Sequence, residues 1–363
     1  MRKKYIKPMM AVEPLKLDHP IAANCNADYD DIRSLIDLSF FWDDCNFKWQ
    51  DTTDGMGHDT VCYHSNVRTA FTSSHLMTFL YCFRICDLDF RIESSRELNF
   101  PDCFSPFFAD RETARVPDIR ISVEFGTYPV CPGVEWKENV LLQNGETAQR
   151  YFWRDGQYVY RIEPGDDSAP YRLIIPPEYA DAFCKSANWL LYLAMERMLL
   201  RKGRIVLHAS AVIYRSQAFV FTAASGGGKS TQAQIWADSL GAEILNGDKV
   251  VLAPGADKCT AYGSPIAGSS EVYRNASAPV AAIIRIVKSG VNRVSRLDAR
   301  SGYTLLYSEL VKSKWDRSFN ISLLKSVEEV IKTTSLLTLE CLPDRSAAEC
   351  VLSCIGKAES EKK

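Results

Sequence analysis

The chain has 363 residues, of which 46% are hydrophobic and 24% charged, and its formal net charge is −2 at pH 7. This length predicts two or three domains with at least one sizeable core, and the near-neutral charge argues against nucleic acid or a membrane surface as partner. No apolar stretch is long enough to span a bilayer and no signal peptide is recognisable. The twelve cysteines form no C-x-x-C pair, so we expect reduced thiols and a cytoplasmic protein.

Residues 1–75 differ in composition from the rest, because Asp, Asn and Thr are frequent there. Their basic start, Met1-Arg-Lys-Lys-Tyr-Ile-Lys-Pro8, resembles short peptides encoded beside modification enzymes, which look like precursors of ribosomally made, modified peptides. Two interpretations stay open for this segment. It is either a poorly ordered extension or a precursor-peptide-like segment.

Residues 76–177 predict a small antiparallel β-rich domain. Two dipeptides, Asn144-Gly145 and Asp155-Gly156, suit the type I′ turns of two-residue β-hairpins. Strand-like alternation of apolar and polar residues covers three further stretches: 78–90, Ile119–Phe125 and Tyr171–Ile175. Apolar residues then recur at helical spacing over 178–201, which predicts a long helix that connects this domain to the next.

Residues 202–357 predict a nucleotide-binding α/β domain, followed by a short tail at 358–363. Its apolar runs predict strands, and its periodic stretches predict helices. The predicted strands cover 204–214, 218–221, 243–245, 249–252, 280–287 and 336–341. The predicted helices cover 229–237, 301–313, 323–334 and 344–357.

The stretch after the strand 218–221 carries the strongest functional signal. A strand, a glycine loop and a helix in that order are typical of a phosphate-binding P-loop. Glycines let backbone N–H groups approach phosphate oxygens, and the helix N-terminus adds partial positive charge. The predicted ATP-binding residues are Ser225, Gly226, Gly227, Gly228, Lys229, Ser230 and Thr231.

Within this loop, Lys229 could reach the β- and γ-phosphates of ATP, and the hydroxyl of Ser230 could bind Mg²⁺. The usual pattern is G-x-x-x-x-G-K-[ST], and Ala223 stands here in place of its first glycine. The alternative interpretation is a glycine-rich turn before a surface helix.

Three further segments stand in a fixed order around the glycine loop. Leu207-His208-Ala-Ser-Ala-Val precedes it, and Asn246-Gly-Asp248-Lys-Val-Val and Gly263-Ser-Pro-Ile-Ala-Gly268 follow it. This order resembles the C-terminal catalytic domain of HPr kinase/phosphorylase, and more closely its HPr-kinase-like relatives beside peptide-modification genes. The resemblance covers about residues 200–357. It implies a P-loop kinase domain related to phosphoenolpyruvate carboxykinase, with a smaller β-rich N-terminal domain. It also implies ATP and Mg²⁺ as cofactors, and oligomeric assembly.

The resemblance also implies roles for single residues. Lys229 matches the phosphate-binding lysine, Ser230 the Mg²⁺-binding serine, and His208 a histidine near the phosphates. Asp248 matches the catalytic aspartate, which takes the proton of the substrate hydroxyl and is also a candidate metal ligand. The alternatives are a satisfied strand histidine for His208 and a turn residue for Asp248.

The sequence departs from the family at several positions. Gly247 stands where the family has the first of two aspartates. Gly268-Ser269-Ser270-Glu271 stands where the family has Gly-Lys-Glu, so Glu271 lies one place off the family's acidic residue, and its metal role is doubtful. Ser264 and Arg274 are candidates for phosphate contact. The arginine that HPr kinases use to remove phosphate has no counterpart that we can place.

Three functions compete. The first is an ATP-dependent serine kinase acting on a protein or peptide, for which Ser34, Ser39 and Ser65 are candidate acceptors if residues 1–75 are a fused substrate. The second is a non-catalytic ATP-binding regulatory or assembly module, which Gly247 favours. The third is a small-molecule kinase, although Arg274, Arg285 and Lys249 are too scattered to predict its basic pocket. A homo-oligomer is expected by analogy with HPr kinases.

Overall fold

The computed structural model describes most of the chain from residue 78 onwards. The described residues are 52–53, 59–60, 78–110, 116–127, 135–137, 140–144, 146–154, 157–185 and 195–360. The chain divides into two units, Met1–Met77 and Thr78–Lys363. In the first unit, β1 (Thr52–Thr53) pairs antiparallel with β2 (Asp59–Thr60). Residues 1–75 were interpreted as a poorly ordered extension or a precursor-peptide-like segment, and apart from β1 and β2 they lie outside the described residues.

The second unit contains two large sheets, which confirms the predicted α/β class. The first sheet has eight strands in the order β3-β4-β5-β10-β9-β8-β7-β6. Its strands are β3 (Phe79–Ile85), β4 (Leu88–Ser94), β5 (Ile119–Phe125), β6 (Glu135–Lys137), β7 (Val140–Gln143), β8 (Glu146–Arg154), β9 (Gln157–Glu163) and β10 (Tyr171–Ile175).

The first sheet is mixed, so the prediction of an antiparallel domain over 76–177 was wrong. β5 pairs parallel with both of its neighbours, β4 and β10. Parallel pairing requires a long connection, and the connection from β4 to β5 contains the 3₁₀ turn Asp102–Phe107. The hairpins β6 to β9 occupy the connection from β5 to β10. Alternating apolar residues predict a half-buried strand but do not reveal its direction.

Two tight turns in this sheet use residues with positive φ. Asn144, at φ 54°, lies in the two-residue turn that joins β7 to β8, as predicted. The predicted turn at 155–156 lies outside the described residues. The stretch 78–90 forms β3 and the start of β4 rather than one strand, because Cys86 and Asp87 turn the chain with φ values of 56° and 58°.

The second sheet has nine strands and carries the glycine loop. Seven of them follow the order β11-β15-β16-β17-β13-β12-β14, while β19 pairs with β17 and β18. The strands are β11 (Ile205–His208), β12 (Ser210–Tyr214), β13 (Gln217–Thr222), β14 (Glu243–Asn246), β15 (Lys249–Pro254), β16 (Cys259–Tyr262), β17 (Ser277–Lys288), β18 (Arg293–Arg296) and β19 (Ser335–Cys341).

Six α-helices lie in the described part of the second unit: α1 (Ala180–Lys185), α2 (Met195–Arg201), α3 (Lys229–Leu240), α4 (Ala299–Glu309), α5 (Arg317–Thr333) and α6 (Arg345–Ser360). The first two lie in the predicted connecting helix 178–201, whose middle, 186–194, is outside the described residues. Asp298 begins α4 and Asp316 begins α5, each accepting a bond from a backbone N–H of the first turn, as N-cap residues do. The last helix extends past the predicted domain end at residue 357.

Helices cover both faces of the second sheet. On one face Leu306 of α4 and Leu323 of α5 pack against the sheet, and on the other face Trp236 of α3 and Val351 of α6 do so. Each face is apolar, since a sheet with helices on both sides must bury both surfaces. Among the described helices, none combines the length and the apolar content required to cross a bilayer.

The two sheets share a hydrophobic core. Val206 of β11 and Val251 of β15 belong to the same buried cluster as Phe83 and Leu88 of the first sheet. The turn of the β3–β4 hairpin also bonds to the second sheet, because the hydroxyl of Tyr262 donates to the carboxylate of Asp87 at 2.8 Å. The β-rich part is therefore packed directly on the part that carries the glycine loop.

Candidate functional site

The glycine loop and the turn that carries Asp248 lie at one edge of the second sheet. β12 pairs antiparallel with both β13 and β14, and β17 pairs parallel with β13. The carboxyl ends of β13, β14 and β17 therefore face the same edge. In α/β sheets, this is the edge outside which ligands bind.

The glycine loop, Ala223–Gly228, joins β13 to α3 through left-handed backbone. Gly226 and Gly228 have φ values of 71° and 100°, a region that favours glycine. A Cβ at Gly227 would lie 2.5 Å from that of Ala223 and 2.8 Å from the carbonyl oxygen of Ala224. The loop therefore needs glycine at consecutive positions.

Ala223 is compatible with this loop although it departs from the usual pattern. It is buried in the cluster that contains Phe221, Ala233 and Trp236, and its backbone has no positive φ. Its methyl group therefore packs in the core and needs no left-handed conformation. This observation explains how alanine can stand at the first glycine position.

The start of α3 offers backbone donors. Gly228 is its N-cap and provides no side-chain bond, so first-turn N–H groups are left without the acceptor that a capping side chain supplies. The ammonium of Lys229 donates to the carbonyl oxygen of Ala223 at 2.9 Å, and its side chain is buried. Ser225, Ser230 and Thr231 are exposed. In the described residues their hydroxyls have no recorded hydrogen-bond partner.

The turn Asn246–Asp248 is held by a buried amide. The side-chain amide of Asn246 donates to the carbonyl oxygens of Ser264 and Ile266 at 2.9 and 3.1 Å. Its oxygen accepts from the backbone N–H groups of Asp248 and Lys249 at 2.9 and 2.8 Å. Asn246 is fully buried, and it therefore fixes the position of Asp248 relative to the loop 263–268.

Gly247 is required by close packing. A Cβ at this position would lie 1.7 Å from the hydroxyl oxygen of Ser270 and 2.5 Å from its Cβ. Ser270 itself donates to the carbonyl oxygen of Ala267 at 2.7 Å, and Ser210 donates to the carbonyl oxygen of Gly247 at 2.8 Å. A second aspartate therefore cannot be accommodated at residue 247 while Ser270 keeps this position.

Asp248 forms an ion-paired cluster with His208 and Lys249. His208 Nε2 lies 2.9 Å from Asp248 Oδ1, and Lys249 Nζ lies 2.6 Å from Asp248 Oδ2. Burial and the positive charges of Lys249 and Lys229 lower the pKa of His208, against the opposing carboxylates of Asp248 and Glu309. A neutral imidazole that carries its proton on Nε2 donates to the carboxylate.

Other residues singled out in the sequence have different places. Ser264 is buried, and its hydroxyl donates to the carbonyl oxygen of Lys249 at 2.8 Å, so it supports the turn and is not open to a phosphate. Arg274 pairs with Glu243 at 2.9 Å. Glu271 is exposed with φ 52°. No group of three or more His, Cys, Asp or Glu residues in the described part of the chain could hold a metal ion.

Sequence reasoning missed the residues that organise this site. Asn246 and Ser270 lie in segments that the resemblance singled out but were given no role of their own, and Lys249 was considered only as a scattered cation. Two signals point to the role of Lys249 beside the carboxylate. It is adjacent to Asp248 in the sequence, and it pairs with His208 across neighbouring strands.

No protein-family model and no curated protein sequence matches this chain. A solved structure titled "Structure of the Hpr(Ser) kinase/phosphatase from Coxiella burnetii" is similar to it over 43% of this chain and 94% of that chain. The sequence identity is 12% and the TM-score is 0.27. A similarity at this score carries no argument for fold or function.

Proposed function

We propose that this chain binds ATP and transfers its γ-phosphate to a serine hydroxyl of a protein or peptide. One observation carries the proposal. A carboxylate, Asp248, is held by two donors at the same sheet edge as a glycine loop whose helix starts without a capping side chain. This combination offers a base and a phosphate-binding loop side by side.

The glycine loop would hold the phosphates. First-turn N–H groups of α3 have no side-chain cap, and phosphate oxygens are suitable acceptors at a helix N-terminus. The ammonium of Lys229 would exchange its bond to Ala223 for one to the β- or γ-phosphate. Mg²⁺, bound with ATP, would neutralise charge on the phosphates, and its protein ligands would be Ser230, whose hydroxyl is exposed, and Asp248.

Asp248 would act as the general base. The serine oxygen forms a bond to the γ-phosphorus, the bond from that phosphorus to the oxygen of ADP breaks, and the serine proton passes to the carboxylate. His208 and Lys249 keep Asp248 oriented, since each donates to one of its two oxygens. Positioning of this kind supplies most of the catalysis in phosphoryl transfer.

A second candidate function is a non-catalytic ATP-binding module that regulates or assembles a peptide-modification system. Two observations favour it. Packing between Gly247 and Ser270 excludes a second carboxylate beside Asp248, and both oxygens of Asp248 already contact cationic or histidine side chains. Phosphotransfer by the native protein is the property that separates the two candidates.

The first test is calorimetric titration of ATP, with and without Mg²⁺, into the native protein and its Lys229→Ala variant. We expect binding that needs Mg²⁺ and that weakens at least about tenfold in the variant, because the lysine ammonium contacts the loop at Ala223 and would bond to a phosphate. Lys325→Ala, which removes an exposed lysine of α5, is the matched control and should bind normally. Absence of binding to the native protein would contradict the proposal.

Phosphotransfer is then measured by mass spectrometry after incubation with ATP, Mg²⁺ and serine-containing peptides. With ATP and Mg²⁺ at saturating concentration, Asp248→Asn should lose transfer by about 10²-fold or more. Transfer that survives in this variant would remove Asp248 as the base. ATP binding by the native protein without transfer to any peptide would favour the non-catalytic module.

A further inference from the structure

A groove of about 590 Å³ lies beside the glycine loop. The loop residues Ala223, Ala224 and Gly227 form one wall, the end of β17 (Arg285 to Lys288) forms another, and α4 forms the third. The groove opens at the carboxyl ends of β13 and β17, where ligands of α/β sheets bind. The proposed phosphotransfer uses the loop wall for the phosphates of ATP but neither the end of β17 nor α4, so these two walls have no assigned ligand.

Three cationic side chains line the groove. Arg285, Lys288 and Arg300 line it, and all three are exposed. In the described part of the chain, the side chains of these three residues form no ion pair. A groove lined by several cations of one sign attracts anionic ligands, so these side chains favour an anionic occupant.

The groove is elongated. The side of α4 that lines it carries Arg300 and Ser301, then Thr304 and Leu305, then Ser308 and Glu309, which is one helix face followed over its length. At 1.5 Å per residue this face extends about 13 Å. Four residues of extended polypeptide span about the same distance, whereas a single phosphate group occupies only one end.

Along α4, the groove leads from Arg300 towards His208, which contacts Asp248. Glu309 lies at its other end, and the next residue, Leu310, pairs through an antiparallel bridge with Leu207, the neighbour of His208. Glu309 also acts electrostatically on His208. The carboxylate of Glu309 would repel acidic residues at this end. The acidic part of a ligand would therefore lie at the end of the groove away from Glu309.

We propose that this groove binds an acidic segment of the acceptor polypeptide, with its carboxylates on Arg285, Lys288 and Arg300. About three or four residues of extended chain then separate this acidic segment from a serine at Asp248. The inference rests on the proposed function, because it names the substrate class of the same site. It predicts a kinase that prefers serines flanked on one side by Asp or Glu.

The test measures binding of a fluorescein-labelled hexaglutamate peptide to the full chain by fluorescence anisotropy, with saturating ATP and Mg²⁺ present. We expect binding that weakens with salt and that falls about threefold to fivefold in Arg300→Gln or Lys288→Gln, the range of an exposed ion pair. Arg285→Gln combined with Arg300→Gln should weaken binding further. Lys325→Gln is the matched control for loss of one exposed charge, and a labelled hexaglutamine peptide should bind poorly.

Several outcomes would overturn the inference. Hexaglutamate binding that is absent, or equal in the native protein and the groove variants, would show that the cations hold no acidic chain. Calorimetry that finds ATP affinity reduced in Arg300→Gln, with ATP displacing the peptide, would assign the groove to the nucleotide. Displacement of the peptide by inorganic phosphate at equal or lower concentration would assign it to a small anion.

Failure of the proposed function gives a different pattern. Hexaglutamate binding that depends on the groove cations, without phosphate transfer to any serine peptide, would support an acidic-polypeptide site on a non-catalytic module. The binding and transfer measurements therefore distinguish loss of the groove from loss of the chemistry.

Discussion

The glycine loop and the turn Asn246–Asp248 lie at one sheet edge but are built in opposite ways. The loop is exposed at Ser225 and Gly226, Gly226 and Gly228 adopt left-handed backbone, and its helix begins without a capping side chain. The turn is anchored by Asn246, a fully buried amide. A binding site for a diffusible anion needs hydrogen-bond donors that the protein itself does not use. A general base, in contrast, needs its carboxylate held in position before the substrate binds.

The largest expected effect on stability comes from a mutation that removes the bonds of the turn Asn246–Asp248. Asn246→Ala leaves the carbonyl oxygens of Ser264 and Ile266 and the N–H groups of Asp248 and Lys249 without their bonds. We expect a loss of about 2–4 kcal/mol in the free energy of unfolding, since buried groups without partners are costly. Urea unfolding followed by tryptophan fluorescence measures this, and calorimetry should find ATP affinity within about twofold of the native value.

Asn275→Ala is the matched control for Asn246→Ala. Asn275 is exposed and donates to the carbonyl oxygens of Arg84 and Pro106 at 3.2 and 3.0 Å. Because water can replace these bonds, its loss should be about 1 kcal/mol or less. Equal losses in the two variants would mean that burial of Asn246 does not stabilise the turn.

A smaller effect is expected from Gly247→Ala, which sharpens the comparison by adding one methyl group to the turn. The added Cβ would clash with Ser270, and overpacking of this kind costs about 1–3 kcal/mol. Gly247→Ala combined with Ser270→Gly should recover most of the loss, as a double-mutant cycle by urea unfolding would show. Gly290→Ala, where a Cβ meets nothing within 4 Å, should change stability by less than about 0.5 kcal/mol. A lack of recovery in the double variant would rule out the clash as the cause.

The smallest effect concerns the pH dependence of stability. Burial and the cations Lys249 and Lys229 hold the pKa of His208 below its ordinary value of 6.5. The neutral form is favoured in the folded chain, so its stabilisation is complete above pH 6.5 and is lost as the pH falls towards the lowered folded pKa. Because 36% of the His208 side chain is exposed, solvent screens the effect to a few tenths of a kcal/mol.

The check compares unfolding free energies at about pH 7.5 and 5.5 in the native protein and in His208→Gln. The native protein should lose more stability on acidification, since only it gains a proton at residue 208 in the unfolded chain. Identical pH dependence in both proteins would contradict the lowered pKa.

The sequence predicted the parts of the site that depend on neighbouring residues. The strand, the glycine loop and the start of α3 at Lys229 follow from contiguous residues. After residue 277, β17, β19, α4 and α6 lie close to their predicted positions, whereas α5 begins at Arg317 rather than at residue 323 and β18 was not predicted. The turn depends on distant contacts, because Asn246 bonds to Ser264 and Ile266, and Gly247 packs against Ser270. Such pairings leave no periodic signal, so this network could not be predicted.

The first sheet shows a second reason for error. Glycine-containing turns are recognisable, and Asn144 lies in a turn as expected. Cys86 and Asp87 turn the chain with positive φ, which is uncommon outside glycine, so the alternation over 78–90 gives no sign of the turn between β3 and β4. The parallel pairing of β5 was missed because strand direction is set by the connections and by the shared core.

The contact between Gly247 and Ser270 also constrains how this protein can change by mutation. A carboxylate can be introduced at residue 247 only after the side chain at 270 has become glycine or the loop 268–270 has moved, because the two side chains would occupy the same space. The two substitutions are therefore expected to arise in a fixed order. Homologues that carry aspartate at the first position should carry glycine, or an altered loop, at the second.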